Sequence, residues 1–276
     1  MPLTPYVCLN CGFWQRHFAT PPGCPVCSDI RHTLPEDGWR FETPEGLARR
    51  VRSVWRPFGA DVVMFGTEPA VGIGPCGYLI LRPGEPGGNI FFDGAPWYSD
   101  EALEEIAALG GIGLLAASHP HAYGALWRLQ ERFEPEVCIQ REDLRWTGAF
   151  RATWPFDDRA EPASGIALLH VGGHFEGQSV LYDAPRRTLF AGDALKFHFE
   201  GGQGRLTGIS CHKAFNNRIP LSHAEIRKYR EVLAPLDFDQ VFTTFEHAPA
   251  GRDDALRLFD AQLAGRPFFG PLPLER

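Results

Sequence analysis

Four cysteines open the chain in two pairs, Cys8-x-x-Cys11-Gly12 and Cys24-Pro25-Val26-Cys27. Each C-x-x-C pair fits a tight turn that points two sulfurs at one cation, and two such turns this close together make a tetrahedral thiolate site by spacing alone. Further along, a different set of donors appears. His119-Pro120-His121 puts two imidazoles on one short loop. Gly172-Gly173-His174 offers a third, with glycines that let the backbone come close to a ligand. Gly192-Asp193 offers a carboxylate, and Glu246-His247 a fourth imidazole. Three histidines with one open coordination position is what hydrolytic zinc requires.

Those donors need elements to carry them. The segment from Thr43 to Trp55 reads as a helix, with Thr43 as cap and Pro44 in the first turn. Asp61–Gly66, Gly77–Arg82 and Asn89–Asp93 read as strands, Ser99–Leu109 as a capped helix, and Gly113–Ala117 as a buried strand ending in the loop 118–124. Ala125–Phe133 reads as a helix and Glu136–Gln140 as a strand, followed by a helical turn over Arg141–Trp146. Ile166–Val171, Ser179–Asp183 and Thr188–Ala191 follow as strands. Gly201–Leu221 is glycine-bearing and aperiodic, which predicts a loop over a site. Ser222–Leu233 carries a capping box through Ser222 and Glu225, Gln240–Phe245 reads as a strand, and Asp253–Leu263 as a last helix. The donor-bearing loops thus follow strands, and loops at strand ends converge even when distant in sequence. His170, inside an apolar strand, reads as a core residue; His17, His32, His198, His212 and His223 read as surface or loop histidines.

Composition narrows the function classes. The chain has 276 residues, 44% of them apolar, enough to bury a full core beside a small extra module. A net charge of −7 argues against a nucleic-acid partner, and no apolar run is long enough for a membrane span. The first residues lack the basic start and apolar stretch of a secretory signal, so a reducing cytoplasm is expected. Seven cysteines fit that setting, with Cys76, Cys138 and Cys211 reading as small buried hydrophobes.

From about Gly38 onward the motifs resemble the metallo-β-lactamase superfamily, the fold of glyoxalase II and lactonases. That family carries H-x-H-x-D-H, then G-G-H, then G-D, then a late histidine. Ser118-His119-Pro120-His121-Ala122-Tyr123-Gly124 matches the first half of the first motif, and Gly172-Gly173-His174, Gly192-Asp193 and His247 follow in order. The resemblance implies an α+β fold, a four-layer αβ/βα sandwich over residues 38–276. It implies a first metal site of His119, His121 and His174, flanked by Asp193, with His247 in a second site. Tyr123 stands where the family has aspartate and Gly124 where it has histidine. Both missing groups are second-site ligands, so one metal is expected rather than two. Tyr123 could donate to a developing oxyanion or simply fill the vacated space.

Residues 1–34 resemble rubredoxin-like modules and zinc ribbons, which hold iron and zinc respectively. Ser28 stands where rubredoxins usually have glycine, which favours structural zinc.

Together these imply a metal-dependent hydrolase of an ester, thioester or lactone-like bond in a small-molecule substrate. One zinc sits in the sandwich and one in the knuckle, with iron an option in either. The metal acidifies a bound water, Asp193 orients it and takes its proton, and Tyr123 and His247 assist. Lys196, Asn216, Asn217 and Arg218 are candidate contacts for a substrate carboxylate or phosphate. The alternatives are a redox protein with a rubredoxin-like iron, and a catalytically degenerate binding member of the fold.

Overall fold

The computed structural model describes residues 2–29, 34–202, 204–213, 219–265 and 271–274, in two compact units over residues 1–156 and 157–276. The first unit contains two sheets. Strands β1 (Thr4–Cys8), β2 (Trp14–His17) and β3 (Phe41–Glu42) form an antiparallel three-stranded sheet ordered β2-β1-β3. The larger sheet has seven strands: β4 (Arg52–Phe58), β5 (Val62–Glu68), β6 (Gly77–Ile80), β7 (Ile90–Phe92), β8 (Leu114–Ala116), β9 (Glu136–Gln140) and β10 (Trp154–Phe156). They lie side by side in chain order. The pairings from β4 to β7 are antiparallel and those from β7 to β10 parallel. Strands β6 to β8 are buried along their whole length, as the central strands of such a sheet must be.

The helices of this unit follow their caps. Helix α1 (Pro44–Ala48) starts at Thr43, whose side chain accepts from Gly46 N. Helix α2 (Asp100–Ala108) starts at Ser99, which accepts from Ala102 N and buries Ala102, Leu103 and Ile106. Such a cap contributes about 1 kcal/mol. Helix α3 (Leu126–Phe133) follows the turn that carries His119 and His121.

The expected helix from Thr43 to Trp55 ends at Ala48, and from Arg52 that segment belongs to β4, in register with β5 from Arg52↔Glu68 to Phe58↔Val62. Val54 and Trp55 are branched and aromatic residues that suit a pleated strand better than a helix. Pro57 is tolerated because β4 is the edge of the sheet.

The second unit has a six-stranded sheet of β11 (Arg159–Ala163), β12 (Ile166–His170), β13 (Ser179–Asp183), β14 (Thr188–Gly192), β17 (Gln240–Thr243) and β18 (His247–Ala248). A three-stranded sheet joins β15 (Lys196–Phe199), β16 (Leu206–Ser210) and β19 (Leu272–Pro273). Helices α4 (His223–Leu233) and α5 (Arg252–Leu263) bury Ile226, Tyr229, Leu233, Leu258 and Phe259 in one core with Val180, Leu189 and Val241. The Ser222–Glu225 capping box is formed as the sequence predicts.

The expected loop over 201–221 is a strand in part: β16 pairs antiparallel with β15 from Lys196↔Ser210 to Phe199↔Leu206. Leu206, Thr207 and Ile209 carry the strand preference, and Gly208 admits the close approach of Pro271. Residues 203 and 214–218 of that segment lie outside the described residues. Among the described residues, no helix is long and apolar enough to cross a membrane.

Candidate metal centres

The cysteine cluster is built by two turns. Strand β1 delivers Cys8, whose N–H donates to Phe13 O at 2.9 Å, and Gly12 (φ +87°) donates to Cys8 O at 2.8 Å to close the first turn. In the second turn Ser28 directs both N–H and hydroxyl to the Cys24 carbonyl, at 2.9 and 2.8 Å. The sulfurs of Cys8 and Cys27 are 3.9 Å apart and those of Cys11 and Cys24 3.7 Å. The edge of a tetrahedron of thiolates about 2.3 Å from a metal is ~3.8 Å, so the cage fits a zinc- or iron-sized ion. All four side chains are buried, and Asn10 Nδ2 donates to Cys27 Sγ at 3.3 Å. Hydrogen bonds among the sulfurs pull the Cys8 thiol below its ordinary range and push Cys11 well above it, as thiols sharing too few protons do.

The histidine pair of the first unit sits beyond the end of β8. Residues Pro120–Ala122 form one 3₁₀ turn entered from an extended His119. Both imidazoles are buried, with ring centroids 5.5 Å apart and planes at 85°. Ser118 Oγ meets His119 Nδ1 at 2.8 Å, and the Ser118 N–H donates to Asp93 Oδ1 at 2.7 Å. Asp93 is fully buried at φ +61°, a left-handed position unusual for a side-chain-bearing residue. Strain of this kind persists where the surroundings hold it in place. Neither Asp93 nor Ser118 was singled out from the sequence.

Backbone contacts fix the same turn. Gly94 N donates to Ala122 O at 2.6 Å, and Ala125 N to Ala95 O at 2.8 Å. The approach is so close that a Cβ on Gly94 would lie 2.4 Å from Tyr123 O. Tyr123 itself is buried against Phe150, and its hydroxyl donates to the Asp143 carbonyl at 3.4 Å. Burial, reinforced by Asp143 and Asp93, pushes its phenol well above the usual range, so it stays protonated.

The second unit brings together His174, Asp193 and His212. The Gly172–Gly173 backbone is left-handed (φ +69° and +90°), and Tyr229 donates to Gly172 O at 2.9 Å. His174 Nδ1 is held by the Lys213 carbonyl, which leaves Nε2 facing Asp193 Oδ2 at 3.4 Å. His212 Nδ1 stands 3.7 Å from the same oxygen. All three are nearly inaccessible, at 1%, 3% and 5% side-chain exposure. His212, read as a surface or loop histidine, lies in the loop after β16 and is a buried neighbour of the carboxylate. The signal was its place just past β16, the same strand-end position as the other donors.

His247 is placed differently. It lies on β18, its Nε2 2.7 Å from Gln240 Oε1 and its ring 4.5 Å from Phe242. The residue before it, Glu246, accepts from Phe197 N at 3.2 Å; burial, with Asp193 nearby, raises its carboxyl above the ordinary range. Lys196 begins β15, half-buried, and its charge acts on Glu246 in the opposite sense. Asn216, Asn217 and Arg218 lie outside the described residues. His170, expected in the core, is half-buried at the end of β12, with Nε2 2.8 Å from Glu176 O.

No family model matches the chain. It is similar to the uncharacterized protein YmaE of Bacillus subtilis (strain 168), with 25% identity over 249 residues, covering 87% of this chain and 88% of the relative. Among solved structures it is similar to VMB-1 (TM-score 0.56, 14% identity, 77% of this chain and 95% of that one). It is similar to the metallo-β-lactamase FIM-1 from Pseudomonas aeruginosa in its mono-zinc form (TM-score 0.55, 14% identity, 79% and 97%). A third likeness is to the chemotaxis sensor ODP, captured as a peroxy diiron species (TM-score 0.50, 16% identity, 77% and 94%). Buried histidine and carboxylate donors past the strand ends, within mixed sheets matching these neighbours, identify this chain as a protein of metallo-β-lactamase fold.

Proposed function

We propose that the protein is a metal-dependent hydrolase of an ester, thioester or lactone-like bond in a small-molecule substrate. We assign its reactive metal to His119, His121, His174 and Asp193, the donors that the family's motifs place in order along the chain. The observation that carries the reading is the buried Asp193 carboxylate facing His174. A carboxylate and imidazoles withdrawn from water form a donor set suited to zinc or iron. The Lys213 carbonyl requires a proton on His174 Nδ1, so the lone pair is on Nε2. Ser118 Oγ engages His119 Nδ1, which leaves Nε2 as the nitrogen of that ring we assign to the metal.

When bound, the metal supplies an acidified water and polarises the bond to be cleaved. Asp193 orients the water and accepts its proton, and His212, beside the same carboxylate oxygen, stabilises the charge that Asp193 carries. Tyr123 and Gly124 replace the second-site ligands of the resembled family, which supports a single metal. The Asp143 carbonyl engages the Tyr123 hydroxyl, which favours Tyr123 as filler of the vacated space over oxyanion donor. Lys196 remains a candidate for an anionic group on the substrate.

A second reading, redox chemistry on iron, is favoured by one observation. The Asn10 amide donates to Cys27 Sγ, and hydrogen bonds to sulfur tune the potential of an iron–thiolate centre.

The test is metal content by mass spectrometry on the wild type, a His119→Ala/His121→Ala variant and a Cys8→Ser/Cys11→Ser variant, followed by a panel of esters, thioesters and lactones. Two metals in the wild type with one lost from each variant, and turnover that disappears with the histidine pair, support the hydrolase. No metal lost from the histidine variant sinks it. Iron in both sites, with a knuckle that bleaches on reduction, favours the redox reading.

A further inference from the structure

The cysteine knuckle lies in the same compact unit as the His119–His121 turn. Trp14, three residues past Cys11, begins β2 opposite Val7, so the hairpin that the four cysteines close sets the position of its indole. That indole is 2% exposed, stacked on Trp97 (centroids 6.1 Å apart) and edge-on to Trp127 (5.3 Å). Its Nε1–H donates to Pro96 O at 2.8 Å.

Pro96 belongs to the short segment that clasps the histidine turn. Asp93 Oδ1 accepts from Ser118 N, Gly94 N donates to Ala122 O, and Ala95 O accepts from Ala125 N, so the turn is held on both sides of its histidines. Tyr98 OH accepts from Ala95 N at 2.8 Å. Trp14 braces this segment through Pro96. A second contact runs in parallel: a Cβ on Gly72 would lie 2.2 Å from Gly12 N, so the backbone around Gly72 is pressed against the first cysteine turn.

We propose that Trp14 is a positioning residue for the reactive metal. Through its bond to Pro96, the closed knuckle fixes the segment 93–96, which fixes the geometry of His119 and His121. The inference rests on the reading that these histidines bind metal. Its physical basis is that a chelate loses affinity when its ligands are free to drift by a fraction of an ångström, and supporting groups beyond the ligands carry about 10–100-fold in metal affinity.

The experiment uses the full chain with zinc retained in the knuckle and the weaker site emptied by a mild chelator. Cobalt(II) is titrated in and its visible d–d absorption read. The proteins are wild type, Trp14→Phe, His119→Ala/His121→Ala and, as a stability control, Leu79→Ala, buried in the same unit but outside the clasp. Trp14→Phe keeps an aromatic ring and removes the N–H donor. The expected result is a cobalt dissociation constant roughly 10-fold higher in Trp14→Phe with a shifted band, at the lower end of the range for such supporting groups. Leu79→Ala melts earlier yet keeps its cobalt affinity within about twofold, because Leu79 lies on β6, with β7 between it and the β8 strand that leads into the histidine turn. An unchanged affinity in Trp14→Phe, or an equal loss in Leu79→Ala, overturns the inference. If the wild type binds no cobalt that the histidine variant loses, the metal-site reading fails and this one with it.

A measurement on the wild type alone guards against a variant that fails to fold. Coupling is reciprocal. Filling the emptied site with zinc must therefore slow solvent exchange of the Trp14 indole N–H by about the factor that Trp14→Phe costs in affinity. Exchange that does not change on zinc addition also overturns the proposal.

Discussion

The knuckle and the histidine–aspartate donors solve the same problem by opposite routes. In the knuckle, two tight turns present all four sulfurs, and every ligand lies within the first 27 residues. The histidines and aspartate ride on loops past separate strands, from His119 in the first unit to His174, Asp193 and His212 in the second. In the knuckle the two turns are closed by short backbone bonds, Gly12 N to Cys8 O and Ser28 N to Cys24 O, around four buried sulfurs. The histidine turn is held by Asp93, Ser118 and the backbone of Gly94 and Ala95, whether or not a metal arrives. We expect an ion to complete the first cluster, whereas backbone and side-chain contacts already hold the histidine turn.

That contrast has breakable consequences. The largest is expected from Cys8→Ser/Cys11→Ser. Structural zinc contributes about 10–16 kcal/mol of apparent binding free energy in small modules, so losing it opens the knuckle and exposes Trp14. Calorimetry and tryptophan fluorescence would show a large fall in Tm and a red-shifted emission; a native-like melt contradicts the contrast. Next comes His119→Ala/His121→Ala, expected to abolish metal binding at the reactive site and activity with it while the melt of the metal-free protein shifts by only a few degrees. A collapse of the metal-free variant would mean that this site, too, is structural.

Smaller and sharper is the choice between two histidines. His212→Ala is expected to weaken metal affinity or turnover about tenfold, from loss of a group next to the Asp193 carboxylate. His247→Ala, whose imidazole pairs with Gln240, is expected to change either by less than about twofold. The reverse order, read by metal titration and kinetics, would restore His247 to the site. The smallest effect is assigned to Tyr123→Phe. Removing its bond to the Asp143 carbonyl costs about 1 kcal/mol of stability, with kcat unchanged. A hundredfold drop in kcat with unchanged KM would instead make the phenol an oxyanion donor.

Some of this was legible in the chain because the physics is local. The C-x-x-C pairs, the Ser99 cap and the Ser222–Glu225 capping box involve residues that meet their neighbours in sequence. The misreadings share one cause. Leu47, Val51 and Val54 share a helical face until β5 offers Val54 a strand partner, and Leu206–Ser210 looks aperiodic until β15 pairs with it. Short segments take the conformation their partners stabilise. The ordered motifs His119-x-His121, Gly172-Gly173-His174 and Gly192-Asp193 could be read as donors because their spacing and glycines are a backbone property.

The sequence by itself determined the knuckle and the donor types, and it set Tyr123 and Gly124 where the resembled family carries second-site ligands. Only the tertiary structure decided which groups support those donors. Asp93 reaches Ser118 across 25 residues, Lys213 reaches His174 across 39, and Trp14 reaches Pro96 across 82. It also put His212 beside Asp193 and turned His247 toward Gln240. Such contacts join side chains and backbone whose separation in sequence carries no signal. They exist because folded sheets bring strand ends together, and burial then makes every polar group there take a partner.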